Sequence, residues 1–259
     1  MKRTCYIQCK GNDVAPHNWI NYTTDGINRL YYIKSGTGGY VSNGENVPFR
    51  QGMLYFIPFY SGIYTYSDNG DRLVHSYVNF KITPPIVSQK VFCIDPNKSE
   101  ALLAALEMFN TLCKRPFLAR LQTKPLSTEE EQELNLLKAL TIYFAESAIN
   151  EYPDRLINDD RMVQALNIIH SDSRARLTVS EIAAKCFMSV DGFIRKFTRQ
   201  IGESPYSYIK KLKIQTALVM RAEGATLEEA AEACGYSSAS SLLHAMSSDN
   251  SNTHRIVKK

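Results

Sequence analysis

The fold of the C-terminal part is decided by a stretch that occurs twice, as Leu177-Thr178-Val179-Ser180-Glu181-Ile182-Ala183-Ala184-Lys185-Cys186 and as Thr226-Leu227-Glu228-Glu229-Ala230-Ala231-Glu232-Ala233-Cys234. In each copy a Thr precedes a Glu by three residues, the spacing of a capping box that starts a helix. After a short turn, the first copy continues with Phe193 and Phe197, four residues apart on one helical face. A short capped helix, a turn and a second helix form a helix-turn-helix unit. The sequence therefore predicts two such units.

The second copy repeats the apolar spacing with Leu242 and Met246. Between the copies, Ser204-Pro205 predicts the start of a long helix that runs to Gly224, because Ser is a good cap and Pro suits the first turn. Pro153 disfavours helix at the residue before it, which predicts a linker at residues 151–158. Residues 159–259 are therefore predicted to form an all-α domain of two helix-turn-helix units joined by a long helix.

The first 95 residues have a β pattern, with short runs rich in Tyr, Ile, Val and Phe between Gly, Asn and Asp. In the run from Arg72 to Phe80, His75, Tyr77 and Asn79 share one face of a strand. Many short strands at regular spacing predict an antiparallel barrel over residues 1–95. Residues 96–150 have helical periodicity, and their apolar faces either pack on the barrel or form the seam of a homodimer. The predicted class is α+β.

Length and composition exclude several other classes. A chain of 259 residues is long enough for two domains. It has no apolar run that would span a bilayer, and its first residues do not resemble a signal peptide, so a cytoplasmic protein without a membrane partner is expected. The six cysteines form no CxxC pair, which favours reduced thiols over a disulfide or zinc framework.

The distribution of charge is more informative than the net charge of +4. From Arg174 to Arg221 there are ten Lys or Arg against three acids, whereas Ala222 to Asn250 holds five acids and no Lys or Arg. A basic block in a balanced chain predicts a phosphate-binding face in the first unit. A solvated helix surface is the alternative.

The C-terminal motifs resemble the AraC/XylS family of transcription regulators. The resemblance rests on residues 177–184, Met188-Ser189, Phe193 and Phe197, residues 202–209, and residues 228–231 with 234–237. In the front half, residues 31–38 and 52–58 are similar to the cupin-like sensor barrel of sugar-responsive members. The resemblance implies two partners, double-stranded DNA and a small-molecule effector, with a sugar as the predicted class.

Outward residues of the first recognition helix are predicted to contact DNA, because the two phenylalanines face the core. This set is Ser189, Asp191, Gly192, Ile194, Arg195, Thr198 and Arg199. Arg195 and Arg199 lie one turn apart and can reach guanine or phosphate. Further predicted phosphate contacts are Lys196, Lys210, Lys211 and Lys213.

The second unit departs from the family, which usually has an aromatic pair and several basic residues in its recognition helix. Here Leu242 and Met246 replace the aromatics, residues 247–251 replace the basic run, and His254 stands at a proline position. Either this unit contacts DNA weakly or it has a packing role. Its predicted DNA contacts are Ser237, Ser238, Ser240, Ser241 and His244.

The predicted effector site lies in the barrel, which can hold one small ligand. By resemblance, His75 and Tyr77 lie on the strand that lines the sugar pocket of family sensors. Trp19, Tyr55 and Tyr66 are predicted as further walls, because aromatic faces stack on sugar C–H groups. Ordinary barrel core is the alternative for each of these side chains.

Other site chemistries have little support. Metal-binding cupins present a His-x-His cluster with a Glu, whereas this barrel has only His17 and His75, so neither a metal nor another cofactor is predicted. No catalytic residues are predicted, since there is no Ser-His-Asp spacing, no paired carboxylates and no phosphate-binding loop. The alternative function is a cupin-fold binding protein whose second helix-turn-helix unit binds protein rather than DNA.

Overall fold

The computed structural model describes residues 3–22, 27–42, 45–61, 63–119, 124–171, 177–222 and 224–248. The predicted replacements at Asp249 to Ser251 and at His254 lie outside these residues. Ten strands occur in the described chain: β1 (Thr4–Val14), β2 (Ile20–Tyr22), β3 (Asn28–Ser35), β4 (Gly38–Ser42), β5 (Glu45–Pro48), β6 (Leu54–Ile57), β7 (Tyr64–Ser67), β8 (Val74–Thr83), β9 (Phe92–Ile94) and β10 (Phe117–Leu118).

Its α-helices are α1 (Glu100–Cys113), α2 (Thr128–Glu151), α3 (Asp160–Ser171), α4 (Val179–Lys185), α5 (Val190–Ile201), α6 (Pro205–Ala222), α7 (Leu227–Ala233) and α8 (Ala239–Ser247). The N-terminal part contains all the described strands and the C-terminal part is helical, which confirms the predicted α+β class. Contacts divide the chain into two compact units, with the division between Leu156 and Ile157. The finer boundaries at residues 95, 150 and 158 remain predictions.

The strands form two sheets in the N-terminal unit. One sheet has the order β10-β1-β8-β3-β6-β9 and the other the order β2-β7-β4-β5. In the larger sheet, Tyr31 of β3 lies opposite Tyr77 of β8 on one side and Tyr55 of β6 on the other. This register places three tyrosines in one row across the sheet, on the same face.

Alternation along the strands gives the larger sheet two apolar faces. Leu30, Val78 and Phe80 belong to one core, which also holds Phe109 of α1 and Phe144 of α2, whose ring centroids lie 5.8 Å apart. Tyr31, Ile33 and Tyr55 belong to a second core with Phe49 and Leu73. The inner faces of α1 and α2 therefore pack on the sheet, while the second core fills the space on its other face.

Reciprocal capping starts the first helix of each repeated unit, as the sequence predicts. Glu181 Oε2 accepts from the Thr178 N–H at 2.6 Å, and the Glu181 N–H donates to Thr178 Oγ1 at 3.2 Å. Glu229 and Thr226 make the same pair of bonds, at 2.6 and 3.2 Å. A third capping box, Ser127 with Glu130, starts α2.

The two turns differ in the residue that adopts a left-handed conformation. Phe187 has φ of 55° in the first unit, and Gly235 has φ of 71° in the second. A left-handed backbone costs a non-glycine residue free energy, and the Phe187 side chain remains 84% exposed. The second turn is also one residue longer, since α5 is capped by Ser189 and α8 by Ser238.

The core of the first unit is aromatic. Phe193 and Phe197 are fully buried, and the Phe197 ring centroid lies 5.6 Å from that of Tyr208 in α6. The Tyr208 hydroxyl lies 2.7 Å from Nε2 of the buried His170, which ties α6 to α3. In the second unit, Leu242 and Met246 are buried in the corresponding positions.

Candidate nucleic-acid interface and ligand site

One face of α5 is exposed because the opposite face carries the two buried phenylalanines. Asp191, Arg195, Thr198 and Arg199 are exposed, and Ser189 caps the helix by accepting from the Gly192 N–H at 3.3 Å. Gly192 and Ile194 are half-buried. Among the described residues, neither Arg195 nor Arg199 has an ion-pair or hydrogen-bond partner. Two guanidinium groups therefore face solvent one turn apart.

The four predicted lysines have partners within the C-terminal unit. Lys196 Nζ lies 2.5 Å from Asp159 Oδ2, and Lys211 Nζ lies 2.9 Å from Glu203 Oε2. Lys210 Nζ donates to Ser248 Oγ at 2.8 Å, and Lys213 Nζ lies 5.9 Å from the ring centroid of Tyr236. Their side chains are only half-exposed, unlike those of the two arginines.

The second unit presents a different surface. Neither α7 nor α8 contains Lys or Arg. Ser237, Ser238, Ser240 and His244 are exposed, but Ser238 is the N-cap of α8 and bonds reciprocally with Ser241. The exposed acids of α7 are Glu228, Glu229 and Glu232. This surface is therefore acidic and polar.

A cluster of rings surrounds His75 in the second core of the N-terminal unit. The centroid of its imidazole lies 5.0 Å from the Tyr31 ring, 5.4 Å from Tyr77 and 5.5 Å from Trp19. The structure thus brings together three of the predicted ligand-binding residues. Gly11 opposes Tyr77, and a Cβ at this glycine would lie 2.7 Å from the Tyr77 hydroxyl, so only glycine leaves room for the ring.

Tyr55 and Tyr66, the other two predicted ligand-binding residues, make their contacts with groups other than His75. The Tyr55 ring centroid is 4.7 Å from that of Phe49, and the Tyr55 hydroxyl accepts from the Arg50 N–H at 2.8 Å. Tyr66 belongs to the smaller sheet, where its hydroxyl would lie 2.9 Å from a Cβ at Gly39. Tyr55 therefore extends the ring cluster through Phe49, whereas Tyr66 packs over a glycine of its own sheet.

The ionisable groups of this cluster are neutral at physiological pH. Burial lowers the pKa of His75 to about 4, and the charge of Lys34 acts in the same direction. Burial raises the pKa of Tyr77 and of Tyr55 to about 12. Nδ1 of His75 has no hydrogen-bond partner among the described residues. The rings therefore offer uncharged hydrogen-bonding groups and aromatic faces.

Sequence reasoning missed a polar group beside these rings. Arg29 is 1% exposed and donates to the Ile27 carbonyl at 2.9 Å and to Asn21 Oδ1 at 3.1 Å, while Asn21 Nδ2 donates to the Tyr31 hydroxyl at 3.1 Å. Arg29 is two residues from Tyr31 and four from Ile33, so the three share one face of β3. This spacing could have placed Arg29 beside the rings. The described residues contain no group of three or more His, Cys, Asp or Glu placed to hold a metal ion. None of the described helices is long and apolar enough to cross a membrane.

Comparison with known proteins gives the same architecture. A model of the helix-turn-helix domain matches residues 182–248, and the probable transcriptional regulator LumQ of Photobacterium leiognathi is 27% identical over 97 residues. This alignment covers 35% of the chain and 39% of LumQ. The structure of ToxT from Vibrio cholerae matches over 100% of both chains, with a TM-score of 0.57 and 11% identity.

A second ToxT structure, with an unsaturated fatty acid bound, has a TM-score of 0.54 and 13% identity, and covers 95% of this chain and 90% of that chain. At such identity the similarity extends to the fold alone. The residues that match the helix-turn-helix domain run from within α4 to the residue after α8, and they include every predicted DNA-contacting position.

The buried imidazole of His75 predicts a pH-dependent stability of the N-terminal unit. An ordinary histidine has a pKa of about 6.5, so the fold, which holds His75 near 4, favours the neutral form. The contribution of His75 to the free energy of unfolding is therefore fully present above about pH 6.5, and it decreases as the pH falls toward 4. Lowering the pH from 7.5 to 5.0 is expected to cost about 2 kcal/mol through this residue.

Urea unfolding followed by the fluorescence of Trp19, the only tryptophan, measures this cost. His75→Gln should remove about 2 kcal/mol of the pH dependence, whereas His17→Gln, at an exposed position, should leave it unchanged. The same pH dependence in the His75→Gln variant as in the natural protein would contradict the assignment.

Proposed function

We propose that this protein is a sequence-specific DNA-binding transcription regulator of the AraC type, in which α5 enters the major groove. One observation carries the proposal: Arg195 and Arg199 are exposed, and within the described part of the chain they have no partners, on a helix whose opposite face carries the buried Phe193 and Phe197. A recognition helix needs this division, because the buried face fixes its position while the outer face reads base edges.

The remaining groups of the first unit are suited to phosphates. Ser189 and the N–H groups of the first turn of α5 form a helix N-terminus, which attracts anions. Lys196 and Lys211 can bind phosphate only by sharing or leaving Asp159 and Glu203. We therefore assign more of the DNA affinity to the two arginines than to the lysines.

The charge of the second unit favours a role other than strong DNA binding. Its helices carry acids and no Lys or Arg, so the phosphate backbone would repel α7. This observation supports the alternative in which the second unit binds a protein. In either case we expect DNA affinity to depend on the first unit.

The unequal roles of the units are tested by fluorescence anisotropy with duplex DNA from upstream of its own gene. Arg195→Ala is expected to weaken binding by about 1 to 3 kcal/mol if it contacts a base. His244→Ala is expected to cost less than about 0.5 kcal/mol. Binding should weaken steeply with salt, because phosphate contacts release counterions.

Arg161→Ala is a matched control, since Arg161 is an exposed arginine in α3 of the same unit. Equal losses from Arg195→Ala and His244→Ala would contradict the unequal roles. Absence of DNA binding even at low salt would favour the protein-binding alternative.

We propose a small molecule as the effector, bound at the ring cluster of the N-terminal unit, with a sugar as the favoured class. Support comes from Trp19, His75 and Tyr77, which offer aromatic faces and neutral hydrogen-bonding groups. Neutral imidazole can both donate to and accept from hydroxyl groups. ToxT has been solved with an unsaturated fatty acid, which supplies the competing ligand class for the test.

Titration of Trp19 fluorescence with a panel of monosaccharides tests the effector class. A sugar is expected to change the emission, and His75→Gln should weaken its binding by about tenfold through the loss of a hydrogen bond. His17→Gln is the control. A response to an unsaturated fatty acid and to no sugar would contradict the proposed class.

We further propose a homodimer through the outer face of α2. Leu136 and Tyr143 are 43% and 38% exposed, and with the exposed Ala139 they follow the spacing of a helix–helix seam. Leu136→Glu is expected to give a monomer in sedimentation equilibrium, because a carboxylate in an apolar seam has no partner. Leu103→Glu on α1, where the side chain is 41% exposed, should leave the dimer intact. A dimer in Leu136→Glu and a monomer in Leu103→Glu would place the seam on α1 instead.

A further inference from the structure

The turn between α4 and α5 holds an aromatic residue at a position where the second unit has glycine. At the end of α4, the Phe187 N–H donates to the Ala184 carbonyl at 3.0 Å. The Met188 N–H donates to the Ala183 carbonyl, also at 3.0 Å. The equivalent pair of bonds ends α7, with Gly235 in the place of Phe187. Both helices therefore end in a Schellman motif, whose left-handed position usually holds glycine.

Phe187 has a backbone conformation that aromatic residues rarely adopt. Among the described residues, the non-glycine residues with a positive φ are Asn18 and Phe187, both at 55°. Asparagine tolerates this region, whereas a bulky side chain there costs free energy. The ring gains little packing in exchange, since Phe187 is the most exposed large apolar residue of the described chain. Strain of this kind is found mainly at functional positions.

Phe187 lies next to the helix that is proposed to enter DNA. It stands two residues before Ser189, the N-cap of α5, so their Cα atoms are at most about 7.6 Å apart. In a helix-turn-helix unit, the N-terminal residues of the recognition helix lie against base edges. The exposed Lys185 and Arg195 lie on either side of the turn in sequence, with one acid, Asp191, between them. The excess of positive charge matches the phosphates of DNA.

We propose that the Phe187 ring contacts the 5-methyl group of a thymine in the major groove, beside the bases that face α5. The inference rests on the proposed function, because that function places α5 in the groove. The thymine methyl is an apolar feature of the major groove, and phenylalanine is among the side chains that contact it. The contact removes the exposed ring from water, which offsets the cost of the turn. Phe187 is therefore a specificity-determining residue that favours thymine at its position in the site.

Binding to two matched duplexes tests the contact. Both carry the site upstream of its own gene, one with thymine and one with uracil, which pairs with adenine in the same way but lacks the methyl group. The natural protein is expected to bind the uracil duplex about fourfold more weakly, the value of one buried methyl group. Phe187→Gly is expected to bind the thymine duplex about tenfold more weakly, and to lose less than about twofold on uracil substitution.

Thermal melting separates loss of this contact from loss of the fold. Because glycine has no steric cost at positive φ, Phe187→Gly should raise the Tm by about 2 to 4 °C while it weakens DNA binding. A structural role of the ring predicts a lower Tm instead. Tyr206→Ala is the matched control, since Tyr206 is an exposed aromatic residue in the first turn of α6 in the same unit. It should change the affinity for either duplex by less than about twofold.

Several results would overturn the proposal. These are unchanged affinity of Phe187→Gly, an equal loss on uracil substitution in Phe187→Gly and in the natural protein, a lower Tm of Phe187→Gly, or an equal loss of affinity from Phe187→Gly and Tyr206→Ala. If Arg195→Ala still weakens binding in the same assay, the proposed regulator function stands although the thymine contact fails. If the natural protein binds neither duplex even at low salt, both fail.

Discussion

Burial of Phe193 and Phe197 against Tyr208 fixes which face of α5 meets solvent. The two rings lie one turn apart on the helix, so positions 191, 195, 198 and 199 are turned outward by helical geometry. The hydrogen bond between Tyr208 and His170 anchors the other side of this core in α3. If this packing were lost, Arg195 and Arg199 would no longer be held on a common surface.

A second division of faces organises the N-terminal unit. Along β3, Leu30 faces the core shared with the helices and Tyr31 faces the ring cluster. The same alternation along β8 separates Val78 from His75 and Tyr77. One sheet therefore supports two environments, an aliphatic and aromatic core under α1 and α2, and a cluster of neutral polar rings on the other side.

Local patterns in the sequence predict the features that depend on local geometry. The capping boxes at Thr178 and Thr226 form with the expected partners, since three-residue spacing within one helix turn determines them. Partners that come from distant parts of the chain were not predictable in this way. Asp159 pairs with Lys196 across 37 positions, so one predicted phosphate-binding lysine already has an acidic neighbour from another part of the chain. The burial of Lys10 was not predictable from local patterns either, because it depends on the pairing of β1 with β8 and β10.

The central claim, that α5 contacts the bases of duplex DNA, is tested most directly by photo-crosslinking from an exposed position on that helix. A photoreactive amino acid at Thr198, compared with one at Ser240 of α8, reports which helix lies against the DNA. If α5 contacts the bases, position 198 gives crosslinks to defined bases and position 240 gives few. Crosslinks from position 240 alone, with the DNA bound in both cases, would contradict it.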